Sequence, residues 1–311
     1  MVQIRQKMLV TGATGFVGFE VLRQASQVFN AVGLFNQTRL KPEKQRALVT
    51  DAEWLRLDLT DTQALLTMLS RERPDCVVHC AALSDPNSCE QNADLSFRLN
   101  VAVTEQIAKW CGEHDKKLIF CSTDLVFDGA QAPYFEDSGP SPLNIYAKHK
   151  VMCEQNIREL CKRYVIARLP LMFGISTLKP APLMELMRLI KQQQPMNLFH
   201  DEFRTPVSYA TAAKGLLLAL AYHQGILHLG GSERVSRVRF AELVAESIGY
   251  SLKHKQEISR NDIAMPAARP ADVSLKSMYA DKIGFTTDSL LTQLRLEQEK
   301  IGKLTSSIPA L

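Results

Sequence analysis

Met8-Leu9-Val10-Thr11-Gly12-Ala13-Thr14-Gly15-Phe16-Val17-Gly18 is the stretch that decides the fold. Its first residues are apolar and suit a buried strand. Glycines then recur at 12, 15 and 18, and a helical pattern carrying Val17, Val21 and Leu22 follows over 16–29. Each glycine has a physical reason in a strand–turn–helix unit that holds a dinucleotide. Gly12 permits the tight turn, Gly15 lets the backbone approach a pyrophosphate, and Gly18 lets the helix pack closely on the strand. The helix N-terminus adds unpaired N–H groups and a partial positive charge facing the phosphates, with Thr14, Phe16 and Val17 completing the loop. A glycine-rich turn without ligand is the plain alternative, and the placement between strand and helix favours the ligand.

Working outward, strands are expected at 31–35, 53–57, 75–80, 117–121, 164–168 and 226–229, with helices at 62–73, 95–114 and 144–163. Asp61 suits the N-cap of the first of these helices. The unbroken apolar run at 75–80 fits a strand covered on both faces. Strand–helix alternation predicts an α/β protein with a Rossmann-type doubly wound parallel sheet. Residues 124–143 hold Gly129, Pro133, Gly139, Pro140 and Pro142 and read as a long loop, a length often tied to function. The later chain is less regular, with helices expected at 183–193, 209–223, 239–248 and 287–300. The expected division is a dinucleotide-binding domain over 1–168 and 203–230, a smaller α/β substrate domain over 169–202 and 231–301, and a polar tail from 302 to 311.

The 311 residues carry a net charge of +4, with 46% hydrophobic and 23% charged residues and no basic run. Nucleic acid and anionic membrane are poor partners for such a chain. Its apolar runs fall short of the ~20 residues a spanning helix needs, and the N-terminus lacks a signal-peptide core, so a cytoplasmic location is expected. Seven cysteines without a Cys-x-x-Cys pair read as free thiols, mostly small buried hydrophobes. The histidines show no metal-ligand spacing, and no metal is expected.

An acidic residue commonly follows the second strand where the adenosine 2′-hydroxyl is bound. Here that region reads Phe35-Asn36-Gln37-Thr38-Arg39, without a carboxylate. Arg39, with Lys41, suits a 2′-phosphate and Asn36 is expected among the nucleotide contacts, so NADP(H) is expected, with NAD(H) left open; a solvated basic loop is the plain alternative. Asp58 and Leu59, past the third strand, are placed to meet the adenine; a capping role is the other reading of Asp58.

Tyr146-Ala147-Lys148-His149-Lys150 places a phenol and an ammonium four residues apart, on one helix face. A free tyrosine has a pKa of ~10, and the ammonium is expected to lower it towards easy proton transfer. Lys148 and His149 are expected on the solvated helix surface. Ser122-Thr123-Asp124 ends a strand at the carboxyl edge of the sheet, where Thr123 can donate to a substrate carbonyl; a turn-forming cluster is the alternative.

These segments resemble the extended short-chain dehydrogenase/reductases, and more narrowly the dTDP-4-dehydrorhamnose reductase family. The likeness runs through TGATGFVG (11–18), DLTD (58–61), VVHCAA (77–82), STDLVFDG (122–129), NIYAKHKVMCE (144–154), RLPLMFG (168–174) and ARPADVSL (268–275), in the family order. It implies Thr123, Tyr146 and Lys150 as catalytic residues, with the Tyr146 and Lys150 side chains also touching the nucleotide. Further nucleotide contacts are implied from the 12–18 loop, Asp58, Leu59, Cys80, Ala81 and Ala82, and Asn100 is implied in a supporting role behind the site. The implied reaction is reduction of a 4-keto sugar on a nucleoside diphosphate, as in dTDP-rhamnose and polysaccharide biosynthesis. Asp124, Arg204 and Arg269 are implied on the substrate side, with Asp272 steadying Arg269. A homodimer is the default assembly for a symmetric enzyme.

The chain departs from the family at three places. Leu125 stands where the family has tyrosine, Leu171 where it has tryptophan, and no acidic match appears among Ser84, Asp85 and Pro86. APYFEDSGPSPLNIYAKHK (132–150) is also similar to the branch holding the regulatory β subunit of methionine adenosyltransferase. That likeness implies an NADP-binding regulatory or scaffold protein as the second reading. A sugar-nucleotide epimerase or dehydratase is the third, and Leu125 after Asp124 leaves the dehydratase without its usual acidic residue.

Overall fold

The computed structural model describes residues 5–36 and 49–306, with side chains as far as Ile301. Seven strands form one sheet: β1 (Lys7–Thr11), β2 (Asn30–Phe35), β3 (Ala52–Arg56), β4 (Cys76–His79), β5 (Lys117–Thr123), β6 (Tyr164–Leu169) and β11 (Gly225–His228). They lie parallel in the order β11-β6-β5-β4-β1-β2-β3, the doubly wound arrangement expected from the sequence. The winding reverses at β1, between β2 and β4, and a crevice opens there beyond the carboxyl ends of the strands.

The two faces of the sheet follow from strand alternation. Met8 and Val10 point to one face and pack with Val17, Val21 and Leu22 of α1 (Phe16–Ala25) and with α8 (Tyr209–Leu218). Leu9 points to the other face, against α2 (Thr62–Glu72), α5 (Val103–Glu113) and α6 (Ile145–Leu160). A separate core joins α7 (Pro182–Lys191), α9 (Arg237–Ser247) and α10 (Leu290–Ser306). Small strand pairs accompany it. β8 (Met196–Phe199) pairs with β13 (Lys255–Ile258), β9 (Phe203–Arg204) with β12 (Val235–Ser236), and β7 (Met172–Phe173) with β10 (Val207–Ser208).

Local chemistry sets the helix starts. Asp61 accepts from the Ala64 N–H at 2.9 Å and Asn144 from the Ala147 N–H at 2.9 Å, which fixes Tyr146 in the first turn of α6. The helix expected over 95–114 is present over 93–113, with a π-helical stretch inside it. α3 (Pro86–Gln91) and α4 (Ala93–Ser96) lead into a π-helical turn, Phe97–Ala102, before α5 begins. α1 stops at Ala25, short of the expected 29. The residues from 302, expected as a polar tail, continue α10 to Ser306, because Gly302 alone does not break a helix with formers on both sides.

Beneath the crevice lies a buried ion pair. Arg168 on β6 donates to both oxygens of Glu154 on α6, at 3.1 and 2.7 Å, and Glu154 also accepts from the Ser122 hydroxyl at 2.5 Å. Removing one partner of such a pair strands the other charge in an apolar interior. Arg168→Met is therefore expected to cost about 3–5 kcal/mol in urea unfolding, and the double variant Arg168→Met/Glu154→Leu should recover a large part of that loss.

Candidate functional site

The crevice at the switch point is a cleft of about 560 Å³ whose lining includes Gly15 to Gly18, Cys80, Ala82, Thr123, Tyr146 and Lys150. At the nucleotide end the glycines are required by contact. Gly12 has φ +66°, and a side chain there would meet the Ala81 backbone at 2.8 Å. A Cβ on Gly18 would come within 2.2 Å of the Gly12 carbonyl oxygen. Thr11 ties the two loops together, its hydroxyl accepting from the Cys80 and Ala81 N–H groups at 3.1 Å each. α1 begins at Gly15 with no side-chain cap and no acidic residue in its first turn. Its first N–H groups and the positive end of its dipole face the cleft, so the residues present fit a dinucleotide pyrophosphate.

At the reactive end, Thr123 closes β5 and Tyr146 and Lys150 project from α6 into the same cleft. Lys150 Nζ donates to the Cys121 carbonyl at 2.8 Å and lies 4.5 Å from the Phe120 ring centre. Burial lowers the Lys150 pKa. The expectation that Lys150 would lower the Tyr146 pKa is not met. Burial, then the Asp124 carboxylate, push the phenol well above its ordinary value, and the Thr123 hydroxyl pulls only weakly the other way.

The far wall is charged. Arg204 Nε lies 3.6 Å from Asp124 Oδ2, and its Nη2 lies 3.3 Å from Glu202 Oε1, while Arg237 Nε reaches the same Glu202 oxygen at 3.3 Å. Asp124 Oδ2, Glu202 Oε2 and Arg269 Nε are buried without a hydrogen-bond partner among the described residues. Burial raises the Asp124 pKa to about 6, against the opposing pull of Arg204. Leu125, Pro170, Leu171 and Met172 form an apolar stretch of the lining.

Residues 6–295 match the family described as RmlD substrate binding domain. The chain belongs to this family. It is 26% identical over 293 residues to methionine adenosyltransferase 2 subunit beta of Danio rerio, covering 91% of this chain and 87% of that protein. To the probable low-salt glycan biosynthesis reductase Agl14 of Haloferax volcanii it is 28% identical, over 84% of this chain and 86% of that one. It superposes with a TM-score of 0.80 on the dTDP-4-dehydrorhamnose reductase of Bacillus anthracis solved with NADP, at 22% identity, covering 95% of this chain and 99% of that one. At that identity the likeness shows the fold. Both resemblances drawn from the motifs thus have their counterparts among these relatives.

Within this RmlD-type cleft several expected residues sit differently from the sequence reading. Arg204 is engaged by Asp124, Glu202 and the Phe203 carbonyl, the last at 2.7 Å, so its charge is largely compensated. Asp272 pairs with Arg234 at 2.6 Å rather than steadying Arg269. Asn100, in keeping with a supporting role behind the site, lies off the cleft lining, its amide taken up by the Leu83 backbone and Ser96 so that it braces the segment after Ala82. Asp58 accepts from the Thr60 N–H and hydroxyl, bonds that hold its carboxyl below the usual range, and its side chain also meets Asn36. Gly12 and Thr14 lie in the glycine loop, and Ala81 packs on Gly12 beside Cys80 and Ala82 of the cleft lining. Arg39 and Lys41 lie outside the described residues. His149, expected on the surface, is buried, with Nδ1 2.8 Å from the Ser96 hydroxyl; Lys148 is exposed as expected. The sequence reading missed Glu202 and Arg237, whose charges meet only through long-range packing.

The Asp124 carboxyl gives this site a pH signature. The folded chain holds that proton more tightly than the unfolded chain, so this group's contribution to stability falls as pH rises from 3.8 through about 6 and is level above. Asp124→Asn is expected to gain stability relative to the parent across that window, by about 2–3 kcal/mol at its upper end. Urea midpoints taken between pH 4 and 7.5 measure it, and a constant difference would contradict the burial of this charge.

Proposed function

We propose that the chain is an NADPH-dependent reductase acting on the 4-keto group of a nucleotide-activated deoxysugar. The observation that carries this reading is the convergence of Thr123, Tyr146 and Lys150 on the same cleft as the Gly15–Gly18 backbone. Bound at that backbone, a reduced nicotinamide supplies the hydride. The chain supplies position and a proton. Thr123 and Tyr146 hold the carbonyl oxygen, and Tyr146, kept neutral by burial and Asp124, gives it a proton as the charge develops. Lys150, fixed on the Cys121 carbonyl, holds the nicotinamide ribose and replenishes that proton. Arg269 and Lys179 are cleft cations that form no salt bridge among the described residues, Arg269 acting on Asp85 only at longer range, and they suit the diphosphate better than Arg204 does. The boundaries expected from sequence would put the glycine loop and Tyr146 in one domain and Glu202 at the seam with the other.

A second reading is a dinucleotide-binding regulatory subunit. It is supported by the relatedness to methionine adenosyltransferase 2 subunit beta and by Leu125 and Leu171, aliphatic groups in the cleft lining where the resemblance leads one to expect aromatics. Epimerisation or dehydration finds no comparable support, since Leu125 follows Asp124 and Asn36 follows β2.

NADPH oxidation over a panel of dTDP-, UDP- and GDP-linked 4-keto-6-deoxyhexoses tests the reductase. Turnover with at least one member is expected. Tyr146→Phe should lower kcat by about 10²–10⁴ while NADPH affinity stays within a few fold. NADPH binding with no turnover on the panel, together with a stable complex with methionine adenosyltransferase, would decide for the regulatory subunit.

A further inference from the structure

Two cysteines stand side by side on the floor of the cleft. Cys80 follows β4 and Cys121 lies in β5, and the ladder between these strands pairs His79 with Phe120, so the next residues are in-register neighbours. Their sulfurs are 3.4 Å apart. It is the one thiol–thiol contact at hydrogen-bond distance among the described residues, and both residues line the cleft and are partly accessible, whereas the other five cysteines are buried. Strand neighbours lie about 4.8 Å apart, inside the roughly 4.4–6.8 Å Cα separation that a disulfide spans. Closing the sulfurs to the ~2.05 Å bond length needs a small movement of two side chains and of the chain carrying them.

We propose that Cys80 and Cys121 form a reversible disulfide under peroxide, and that this bond switches off dinucleotide binding. One thiol attacks hydrogen peroxide, an S–O bond forms as the O–O bond breaks, and water leaves. The second thiol displaces the sulfenic oxygen as a second water and closes the S–S bond. Each chain loses two hydrogens, and peroxide is reduced to two waters. Sharing a proton with Cys121, together with burial, pushes the Cys80 thiol up, which slows the reaction at neutral pH without changing its end point.

The consequence follows from what adjoins each sulfur. Cys80 leads into Ala81, whose backbone packs on Gly12 and is tied to Thr11. The Cys121 carbonyl carries the Lys150 ammonium, and Thr123 lies two residues on. A bond drawing these segments together displaces the glycine-loop contact and the lysine at once. A disulfide between two partly accessible cysteines is of the labile kind, open to attack by a reducing thiol, which makes the state reversible.

The modification stands on the thiol geometry alone, while its effect on dinucleotide binding rests on the reading proposed above. The full chain is treated with graded hydrogen peroxide, followed by intact mass, peptide mapping and NADPH titration by fluorescence. The expected result is a loss of two hydrogens, a Cys80–Cys121 link, NADPH affinity lower by at least about tenfold, and recovery with dithiothreitol. Cys121→Ser, compared with its own untreated form, should form no such link and keep its NADPH affinity through the same treatment. Absence of the link, unchanged NADPH binding by linked protein, or equal peroxide sensitivity of Cys121→Ser would each overturn the proposal. Failure of the untreated parent to bind NADPH would instead defeat the reductase reading, and the peptide map would still decide whether the thiols pair.

Discussion

The Glu154 carboxylate, gripped by Arg168, is the constraint on which the reactive end depends. Glu154 lies four residues beyond Lys150 and eight beyond Tyr146, on one face of α6, and it also takes the Ser122 hydroxyl next to Thr123. One anion thus joins the strand that carries the threonine to the helix face that carries the phenol and the amine. Arg168 itself is buried, with its guanidinium 5.0 Å from the Phe127 ring centre and a nitrogen 3.4 Å from His228 Nε2. A charge so far from water persists only when its partners are held in good geometry. The same surroundings therefore fix the relative placement of three side chains from two elements.

Much of this arrangement was legible because its signals are local. Glycines at 12, 15 and 18 announce a backbone approach that the contacts around Gly12 and Gly18 require. Asn144 announces the start of α6, and with it the phase of Tyr146 and Lys150. His149 was legible too, had its phase been followed, for it lies three residues after Tyr146 and four before the buried Cys153. Other features carry no local signal. The Tyr146 phenol responds to its burial and then to Asp124, a residue from another element. Glu202 and Arg237 come from the irregular second half, where short strand pairs bring together charges that no period or motif joins. The π-helical stretch before α5 has no local signal; Asn100 within it spends its amide on the Leu83 backbone and Ser96, a tertiary contact.

The cleft is chemically lopsided. Its floor is small residues and thiols, part of its lining is aliphatic at Leu125 and Leu171, and its far wall is a lattice of arginines and carboxylates. Aliphatic side chains exclude water and offer area, but they neither stack on a ring nor donate a hydrogen bond. Away from Thr123, Tyr146 and Lys150, orientation of a polar ligand falls to the charged wall. There the arginines are partly neutralised by Asp124 and Glu202, so an anionic ligand has to compete with carboxylates already in place. That competition favours a ligand able to pair with the cations and also to donate to the carboxylate oxygens left without partners. Phosphates and hydroxyl groups on one molecule meet both demands; a bare anion meets only the first.

Protonation gives the proposed chemistry a direction. Asp124 ionises as the pH rises through about 6, and its charge then adds to burial in holding the Tyr146 proton. A phenol so held is a poor base, since stripping it would place a second negative charge beside the first in a buried site. It gives up its proton only to an oxygen that is itself becoming an anion, which is the condition met when hydride reaches a carbonyl carbon. The opposite direction demands that Tyr146 begin as phenolate, and only added positive charge in the cleft would make that state accessible. On the proposed reading, burial and Asp124 thus deliver Tyr146 to the reaction in its protonated form, which is the form a proton donor requires.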